Sequence, residues 1–541
     1  MKMKISKLRI SNYKMFTEEI INLNTNYNIF IGDNDAGKST LLEVIQIITS
    51  NRLNGYSFEK QIKASMFNNI IRKQFQLDLS LGKNIVLPEI VLEAYCDLNV
   101  DYSKYKGTNN ELGEDCPGIR VKVSFDKKYA EDYKQMVELN EIIDIPIEFY
   151  KVDWDYFSGE TVFYRTAPIK TTFIDTTKKD YSSSLNRFVN NNITSNLADE
   201  EINQLTRAYR KMRMDFNTND KVSELNQRIA NTHRLDGKAI SFGLKETNLD
   251  SWLDEVSIDI ENVPFENIGF GSQNMIKMEL AYQEKSEKAN VILFEEPENN
   301  LSFTNMSRLI SKINQDSTKQ VFISTHSSFV ANKIGISNII MLNKGCSSPL
   351  KEVDEDTLRY FKKLPNYDTL RFLLSKRAIL VEGPTDELVI QRYYLDEYGK
   401  LPIENGIDII AVGALAFKRY CDLALLVNKK IIIFTDNDGD IENNILEKYK
   451  KYLSSELVEI YYDLKENFNT IEPSLLEVNC ETDEKFELFK KIIGKNNSLK
   501  SRDKKGVLEY MIKNKTEWSL RVFEAVDCIN YPNHIYENIK E

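Results

Sequence analysis

The chain has 541 residues, 42% of them hydrophobic, and a formal net charge of −11. This length exceeds one compact domain, so two or three domains are expected. There is no uninterrupted apolar run of about 18 residues, which argues against a membrane-spanning helix and a membrane partner. The six cysteines have no C-x-x-C spacing, so the sequence predicts reduced thiols in a cytoplasmic protein and no zinc site.

The acidic balance by itself argues against a nucleic-acid partner, but charge can be strongly local. Two basic clusters stand out, each of which could be a solvated helix face or a phosphate contact. The first comprises Arg207, Arg210, Lys211 and Arg213, and the second comprises Lys495, Lys500, Arg502, Lys504 and Lys505.

The first predicted elements enclose a glycine-rich loop. An apolar strand over 27–31 precedes the loop, and an apolar helix over 41–48 follows it. Backbone amides of such a loop and the helix N-terminus surround phosphate groups. We expect Lys38 to reach the β- and γ-phosphates of ATP and Ser39 to bind Mg²⁺. The predicted nucleotide-binding residues are Gly32, Asp33, Asn34, Asp35, Ala36, Gly37, Lys38, Ser39 and Thr40.

Three later segments provide candidate partners for this loop. Gly271-Ser272-Gln273 opens a predicted helix and is a second candidate phosphate contact through Ser272. The apolar run over 291–294 ends in Glu295, expected to hold Mg²⁺ through water, and Glu296, expected to activate the attacking water. A strand over 320–324 precedes His326, which could contact the γ-phosphate or be a surface histidine.

These motifs resemble ABC-type ATPases of the SMC, RecF and MutS kind. The resemblance implies a homodimer, because in that group the signature turn of one protomer closes over ATP held by another. Between the ATPase motifs, the segment 199–228 could form two helices of an inserted arm.

Acidic residues follow two further predicted strands near the C-terminus. Glu382 follows the strand over 376–381, with Asp386 four residues later, and Asp436 and Asp438 follow the strand over 430–434. Carboxylates at i and i+2 of a strand point the same way, so Asp436 and Asp438 are expected to share a metal. Mg²⁺ or Mn²⁺ suits such ligands, and two such ions would stabilise the attacking and leaving oxygens in phosphodiester cleavage. The alternative is an ordinary surface turn.

The order strand-Glu-Gly, then strand-Asp-x-Asp, resembles the Toprim domain. ABC ATPase followed by Toprim is the architecture of the OLD (overcoming lysogenisation defect) nuclease family, which includes Gabija-type and retron-associated anti-phage effectors. The resemblance implies a further metal ligand at Glu472 and a catalytic lysine at Lys505, preferred over Lys504. It also implies DNA as substrate and an accessory defence protein or nucleic-acid partner.

The predicted fold class is therefore α/β, an ABC-type P-loop ATPase with an inserted helical arm followed by a C-terminal Toprim domain. We assign 1–124 and 256–345 to the ATPase, 125–255 to the inserted helical and dimerisation arm, 346–375 to a linker and 376–541 to Toprim.

The predicted function is an ATP-binding, metal-dependent DNA endonuclease that acts in anti-phage defence and whose ATP state gates cleavage by a homodimer or dimer of dimers. The alternative is an SMC- or RecF-like DNA-binding ATPase whose Toprim domain is inactive or structural.

Overall fold

The computed structural model describes most of the chain, in two compact units. The first unit comprises Met1–Asn28 and Ser39–Thr325, and the second comprises Ile29–Lys38 and His326–Glu541. The described residues are 3–53, 56–81, 86–97, 104–139, 141–176, 197–232, 234–235, 238–239, 241–244, 259–283, 290–299, 301–315, 318–343, 345–349, 357, 368–495 and 498–539. Most of the predicted linker over 346–375 and parts of the predicted arm therefore lie outside the described residues.

The strands, in chain order, are β1 Ile5–Tyr13, β2 Phe16–Asn22, β3 Tyr27–Ile31, β4 Arg52–Leu53, β5 Tyr56–Ser57, β6 Ile90–Cys96, β7 Lys106–Gly107, β8 Cys116–Phe125, β9 Tyr150–Tyr156, β10 Thr171–Asp175, β11 Arg234–Leu235, β12 Lys238–Ala239, β13 Asp259–Ile260, β14 Val263–Pro264, β15 Val291–Glu295, β16 Gln320–Ser324, β17 Ile339–Asn343, β18 Cys346–Pro349, β19 Arg377–Val381, β20 Ile407–Ala411, β21 Ile431–Phe434 and β22 Val458–Tyr461.

The α-helices are α1 Lys38–Ser50, α2 Asn69–Ser80, α3 Ala130–Glu138, α4 Asp199–Asn217, α5 Asp220–Thr232, α6 Phe270–Gln283, α7 Phe303–Gln315, α8 Ser328–Ile334, α9 Asp368–Leu374, α10 Pro384–Tyr398, α11 Phe417–Leu426, α12 Ile471–Val478, α13 Asp483–Ile493, α14 Lys504–Lys513, α15 Lys515–Glu524 and α16 Asn533–Tyr536. None of the helices described is long and apolar enough to cross a bilayer.

Two sets of strands organise the first unit. An antiparallel sheet runs in the order β2-β1-β6-β8-β7, with β9 paired to β8. Strands β10, β15 and β16 are parallel, with Val291 opposite Thr171 on one side and Gln320 on the other. Residues 291–294 are buried throughout, as expected for a parallel strand covered on both faces. The carboxyl end of β15 therefore carries the predicted acids out of the core.

The predicted arm is only partly helical. Strands β9 and β10 lie within 125–255 but pair with β8 and β15, so they belong to the sheets of the first unit. Helices α4 and α5 confirm that the segment 199–228 forms two helices, while the inserted arm itself stays a prediction. Arg207, Arg210 and Lys211 are exposed on α4. Sheet strands after residue 125 were missed because this polar, tyrosine-rich stretch lacks the apolar runs that revealed β15 and β16.

The second unit contains a four-stranded, fully parallel sheet in the order β20-β19-β21-β22. In this unit β3 also pairs in parallel with β17, which pairs with β18 in the antiparallel sense. Strand β19 is buried from Ala378 to Val381, and a core cluster around it includes Trp518 of α15. The carboxyl ends of parallel strands meet at one sheet edge, so residues following β19 and β21 are brought together.

Helix α15 is fixed firmly against this core. Trp518 is fully buried and its Nε1 donates to the carbonyl of Met511 at 3.0 Å. Arg392 of α10 donates to the carbonyl of Phe523 at 3.2 Å, at the C-terminal end of α15. These contacts hold the start of α15, residue Lys515, in a defined place relative to α10.

Candidate active site

The glycine-rich loop has the backbone conformation that its sequence predicts. Gly37 has a φ of 103°, in the region that favours glycine. A Cβ on Gly32 would lie 2.4 Å from the carbonyl oxygen of Leu342, so a side chain is excluded there. Lys38 Nζ donates to the carbonyls of Gly32 at 3.0 Å and Asp33 at 2.9 Å, which holds the ammonium over the loop. Strand β3 and helix α1 confirm the predicted strand and helix on either side.

The predicted pair of acids follows β15 in the first unit. Glu295 is the last residue of β15, and Glu296 has a φ of 45°, so the chain turns sharply there. Asn299 Nδ2 donates to Glu296 Oε2 at 2.8 Å. Glu296 N donates to the carbonyl of Ser324, at the end of the neighbouring strand, at 2.9 Å. Glu296 is therefore held by both its backbone and its side chain, and its role in activating water stays a prediction.

The other two predicted nucleotide contacts are accessible to solvent. Ser272 is exposed in the first turn of α6, while the neighbouring Gln273 is buried and donates to the carbonyl of Ile268 at 3.0 Å. His326 is exposed just beyond β16. The assembly of these residues with the glycine-rich loop around ATP stays a prediction.

The predicted acids of the second unit meet at the carboxyl edge of the four-stranded sheet. Glu382 follows β19, and its Oε1 accepts from Thr435 Oγ1 at 2.7 Å and from the backbone N–H of Asp436 at 3.1 Å. Asp386 lies in the first turn of α10 and accepts from the Gly383 N–H at 3.0 Å. Glu382, Asp386 and Asp436 line one pocket.

Burial and mutual repulsion disturb the titration of this cluster. Burial, and then the charges of Asp386, Glu382 and Glu472, raise the pKa of Asp436 to about 8. The pKa of Asp386 is raised to about 7, chiefly by burial and further by Glu382 and Glu472. Several carboxylates confined together without enough positive charge are what a divalent cation would stabilise.

Glu472 is a fully buried member of this cluster. It is the second residue of α12, and its side chain is 0% exposed. Its Oε1 lies 3.0 Å from Lys515 Nζ, an ion-pair distance, although neither carboxylate oxygen has a hydrogen-bond partner of good geometry among the described residues. Lys515 also lowers the pKa of Asp386 and Asp436. The lysine that faces the acids is thus Lys515, which sequence reasoning missed.

Asp438 does not lie where the predicted strand alternation with Asp436 would place it. Strand β21 ends at Phe434, so Asp436 lies in irregular chain beyond the strand and Asp438 lies in the turn that follows. Asp438 has a φ of 51° and is exposed. The expectation that the two carboxylates point the same way because of strand alternation is therefore wrong, while metal binding by Asp438 stays a prediction.

Lys505, the predicted catalytic lysine, is exposed on the first turn of α14 and lines a separate groove. The neighbouring Lys504 is paired with Glu477. A catalytic role for Lys505 remains a prediction from family resemblance, and no contact between Lys505 and the acids is found among the described residues.

A histidine that the sequence did not single out also lines the acidic pocket. His534 Nδ1 lies 3.8 Å from Asp463 Oδ2, which in turn accepts from Ser474 Oγ at 2.7 Å. Burial lowers the pKa of His534, against the opposing effect of Asp463, and so favours a neutral imidazole. No local motif surrounds His534, because it comes from the C-terminal helix α16 and reaches the pocket only in the folded domain.

The donor set fits Mg²⁺ or Mn²⁺ in its chemistry. It consists of carboxylate oxygens, the ligands these ions prefer, and includes the buried oxygens of Glu472, which have no hydrogen-bond partner of good geometry in the described part of the chain. As the side chains are placed, no group of three or more His, Cys, Asp or Glu within the described part of the chain is arranged to hold an ion. Metal binding would thus require these carboxylates to adjust.

Comparison with known proteins defines the class. The profile of the AAA ATPase domain family (AAA_15) matches residues 3–331, and that of the overcoming lysogenization defect protein-like TOPRIM domain matches residues 373–438. The first match spans more than half of the chain, so the chain belongs to this ATPase family. With the second match, it has the ATPase and Toprim architecture of the OLD family, which confirms the predicted family and fold class.

Solved structures that resemble the chain include SMC and RecF proteins, at low similarity. An SMC head domain from Thermotoga maritima is 14% identical, with a TM-score of 0.30, over 65% of this chain and 99% of that one. An SMC head bound to the C-terminal winged-helix domain of ScpA is 14% identical, with a TM-score of 0.35, over 64% and 96%. The recombination mediator RecF with ATP is 11% identical, with a TM-score of 0.32, over 64% and 98%. No curated protein matches.

Proposed function

We propose that this protein is an ATP-binding, metal-dependent DNA endonuclease. The observation that carries this function is the set of acids Glu382, Asp386, Asp436 and Glu472 gathered at the carboxyl edge of the four-stranded parallel sheet. A buried cluster of carboxylates, two of which, Asp386 and Asp436, have raised pKa values, destabilises the fold, so its presence suggests a functional role.

Different residues of the second unit are proposed to bind the metal, to orient its ligands and to stabilise the phosphate. Glu382, Asp386, Asp436 and Glu472 would hold Mg²⁺ or Mn²⁺, with Asp438 as a further candidate, and the ion would supply charge stabilisation at the scissile phosphate. Thr435 orients Glu382 by its 2.7 Å hydrogen bond. Lys515 adds a positive charge beside the acids, where it would stabilise the phosphate as negative charge develops.

The ATPase part would govern access to these acids. Lys38 and Ser39 would bind ATP and its Mg²⁺, while Glu295 and Glu296 would serve hydrolysis. If Ser272 of one chain completes the site of another, ATP would change how two copies meet and so gate DNA cleavage. The OLD architecture supports a role in anti-phage defence.

A second function is favoured by a specific observation. Since no three potential ligands are arranged for an ion within the described residues, and Asp438 is exposed in a turn, the Toprim domain could be structural. The protein would then be a DNA-binding ATPase of the SMC or RecF kind.

Supercoiled plasmid distinguishes the two functions. The purified chain is incubated with plasmid, with and without Mg²⁺, Mn²⁺ and ATP. Nicked or linear product that requires the metal and is lost in Glu382→Gln supports the nuclease. ATP hydrolysis and DNA binding without any cleavage, under every metal condition, would favour the ATPase alternative.

A further inference from the structure

A groove beside the acidic pocket is lined by an aromatic ring, aliphatic side chains and two lysines. The two cavities share Phe468, which lines both of them. The groove has a volume of about 540 Å³, within the range of small-molecule sites of about 300–1,000 Å³. Its lining residues include Asn467, Phe468, Leu476, Lys504, Lys505 and Leu508.

Of the two lysines that line the groove, Lys505 is the one without a described ion pair. Asp503 caps α14 by accepting from the Gly506 N–H at 2.9 Å, and Glu477 is paired with Lys504, so both acids of the groove are engaged. Lys505 has no ion pair or hydrogen bond among the residues that the structure describes, and it is exposed. The groove therefore combines apolar lining residues with a lysine that is not held in an ion pair among the described residues.

Phe468 is held in a defined position relative to the acids. Asn437, between Asp436 and Asp438, is 1% exposed, and its Nδ2 donates to the carbonyls of Asp463 at 2.8 Å and Lys465 at 3.1 Å. Asp438 N donates to the carbonyl of Asn469 at 3.3 Å. The loop that carries Phe468 is thereby tied on both sides of the aromatic residue to the turn that carries the acids.

An aromatic ring and a cation at this place match one ligand chemistry. Bases of single strands stack on aromatic side chains, while lysines contact the adjoining phosphates. A base inside a duplex cannot reach such a ring unless it leaves the stack. Lys465 Nζ lies 4.9 Å from the centre of the Phe468 ring, on an exposed side chain that can move aside or join the phosphate contact.

We propose that this groove binds one unstacked nucleobase and its phosphate next to the scissile phosphate, with Phe468 as the stacking surface and Lys505 as the phosphate contact. The inference rests on the nuclease function proposed above. It assigns Lys505 to substrate recognition, and it makes an unpaired or extruded nucleotide part of the substrate.

The test compares a single strand with its matched duplex. Fluorescence anisotropy measures the affinity of the full chain for a labelled oligonucleotide of about 20 nucleotides and for the duplex, in the Glu382→Gln background with Mg²⁺. Phe468→Ala should weaken single-strand binding by about fivefold or more, and weaken duplex binding less. Lys505→Ala should act in the same direction and reduce the salt dependence of single-strand binding.

Matched controls separate this site from general effects. Lys513→Ala removes an exposed lysine from the other end of α14, and Leu464→Ala removes a leucine that is 79% exposed on the same loop as Phe468. Both should bind the two DNAs as the parent does. The groove assignment is overturned if Phe468→Ala loses affinity equally for the single strand and the duplex, or loses no affinity for the single strand.

Plasmid cleavage by the protein with an intact Glu382 is measured in parallel. If the chain cuts plasmid but the anisotropy results contradict the groove, only the groove proposal is rejected. If the chain does not cut plasmid under any metal condition, the proposed nuclease function itself is rejected.

Discussion

Lys515 Nζ lies 3.0 Å from Oε1 of the wholly buried Glu472, so a positive charge that is far from the acids in sequence stands among them in the fold. Lys515 is fixed there because α15 is anchored by Trp518 and by Arg392. Its position distinguishes it from Lys505, which lines the neighbouring groove.

Replacing Lys515 should therefore impair the chemistry of cleavage. We expect Lys515→Met to lower the single-turnover cleavage rate about 10²–10³-fold, the range seen when one donor to a developing charge is removed. Lys505→Met should keep the single-turnover rate at saturating DNA and raise the DNA concentration needed. Rapid-quench measurements on plasmid check both variants. If Lys515→Met kept the parental single-turnover rate and Lys505→Met lost it, Lys505 and not Lys515 would be the catalytic lysine.

The acids themselves are expected to be indispensable. Glu382→Ala or Asp436→Ala should abolish metal-dependent cutting while leaving ATP binding intact, because both residues lie in the acidic pocket. Gel analysis of plasmid and equilibrium binding of a fluorescent ATP analogue measure the two properties. Thr435→Val, which removes the hydrogen bond to Glu382, should reduce cutting less severely. Complete plasmid cleavage by Glu382→Ala would contradict the site.

The nucleotide residues should separate binding from hydrolysis. Lys38→Ala should weaken ATP binding about 10- to 100-fold, since it removes a charge-assisted contact. Glu296→Gln should bind ATP normally but hydrolyse it about 10²–10⁴-fold more slowly, because an amide cannot accept a proton from water. Phosphate release and calorimetric titration test these outcomes. Parental hydrolysis by Glu296→Gln would remove that residue from water activation.

Stability should depend on pH through Asp436. Its pKa is raised to about 8 in the folded chain from an ordinary value of 3.8, so the folded state binds more protons than the unfolded state between these values. The contribution of this group to stability is thus fully present below pH 4 and is lost as the pH rises through 8. Without metal, the melting temperature should fall between pH 6 and pH 8.5 more in the parent than in Asp436→Asn. Mg²⁺ should raise the melting temperature more at pH 8.5 than at pH 6, because at pH 8.5 protons no longer compete with the ion for the carboxylates. Identical pH profiles for the two proteins would show that Asp436 titrates normally.

ATP is expected to control assembly. The arm helix α4 leaves apolar side chains in solvent, with Met212 55% and Met214 61% exposed. Light scattering should give at least a dimer with ATP and Mg²⁺, and Met214→Glu should weaken it. Leu81→Glu, at an exposed leucine outside the arm, serves as the matched control. A strict monomer at micromolar concentration with undiminished nuclease activity would leave ATP gating by dimerisation without support.

The parts of the molecule that could be predicted from sequence share a physical basis. The run over 320–324 is buried along its whole length and the run over 27–31 from residue 28 onward, so their mainly apolar character is visible in the sequence, and both were predicted with the observed bounds. The meeting of Glu382 and Asp436 follows from parallel strands ending at one edge.

The remaining residues needed the fold. Lys515 and His534 reach the acids through helix packing, which no local pattern encodes. The exposure of Asp438 depends on a turn whose central Asn437 bonds to a distant loop.

Asn437 has a consequence for how such a protein could diversify. Because its amide donates to the carbonyls of Asp463 and Lys465, the same hydrogen bonds position the acid-bearing turn and the loop that carries Phe468 of the proposed nucleotide groove. Substitutions at 468 and 505 would leave the hydrogen bonds of Asn437 intact. The choice of DNA target could therefore change during evolution while the acid-bearing turn kept its position. A change at 437 would disturb both properties at once. Natural relatives should accordingly vary at the first two positions and keep an asparagine, or another side chain that donates twice, at the third.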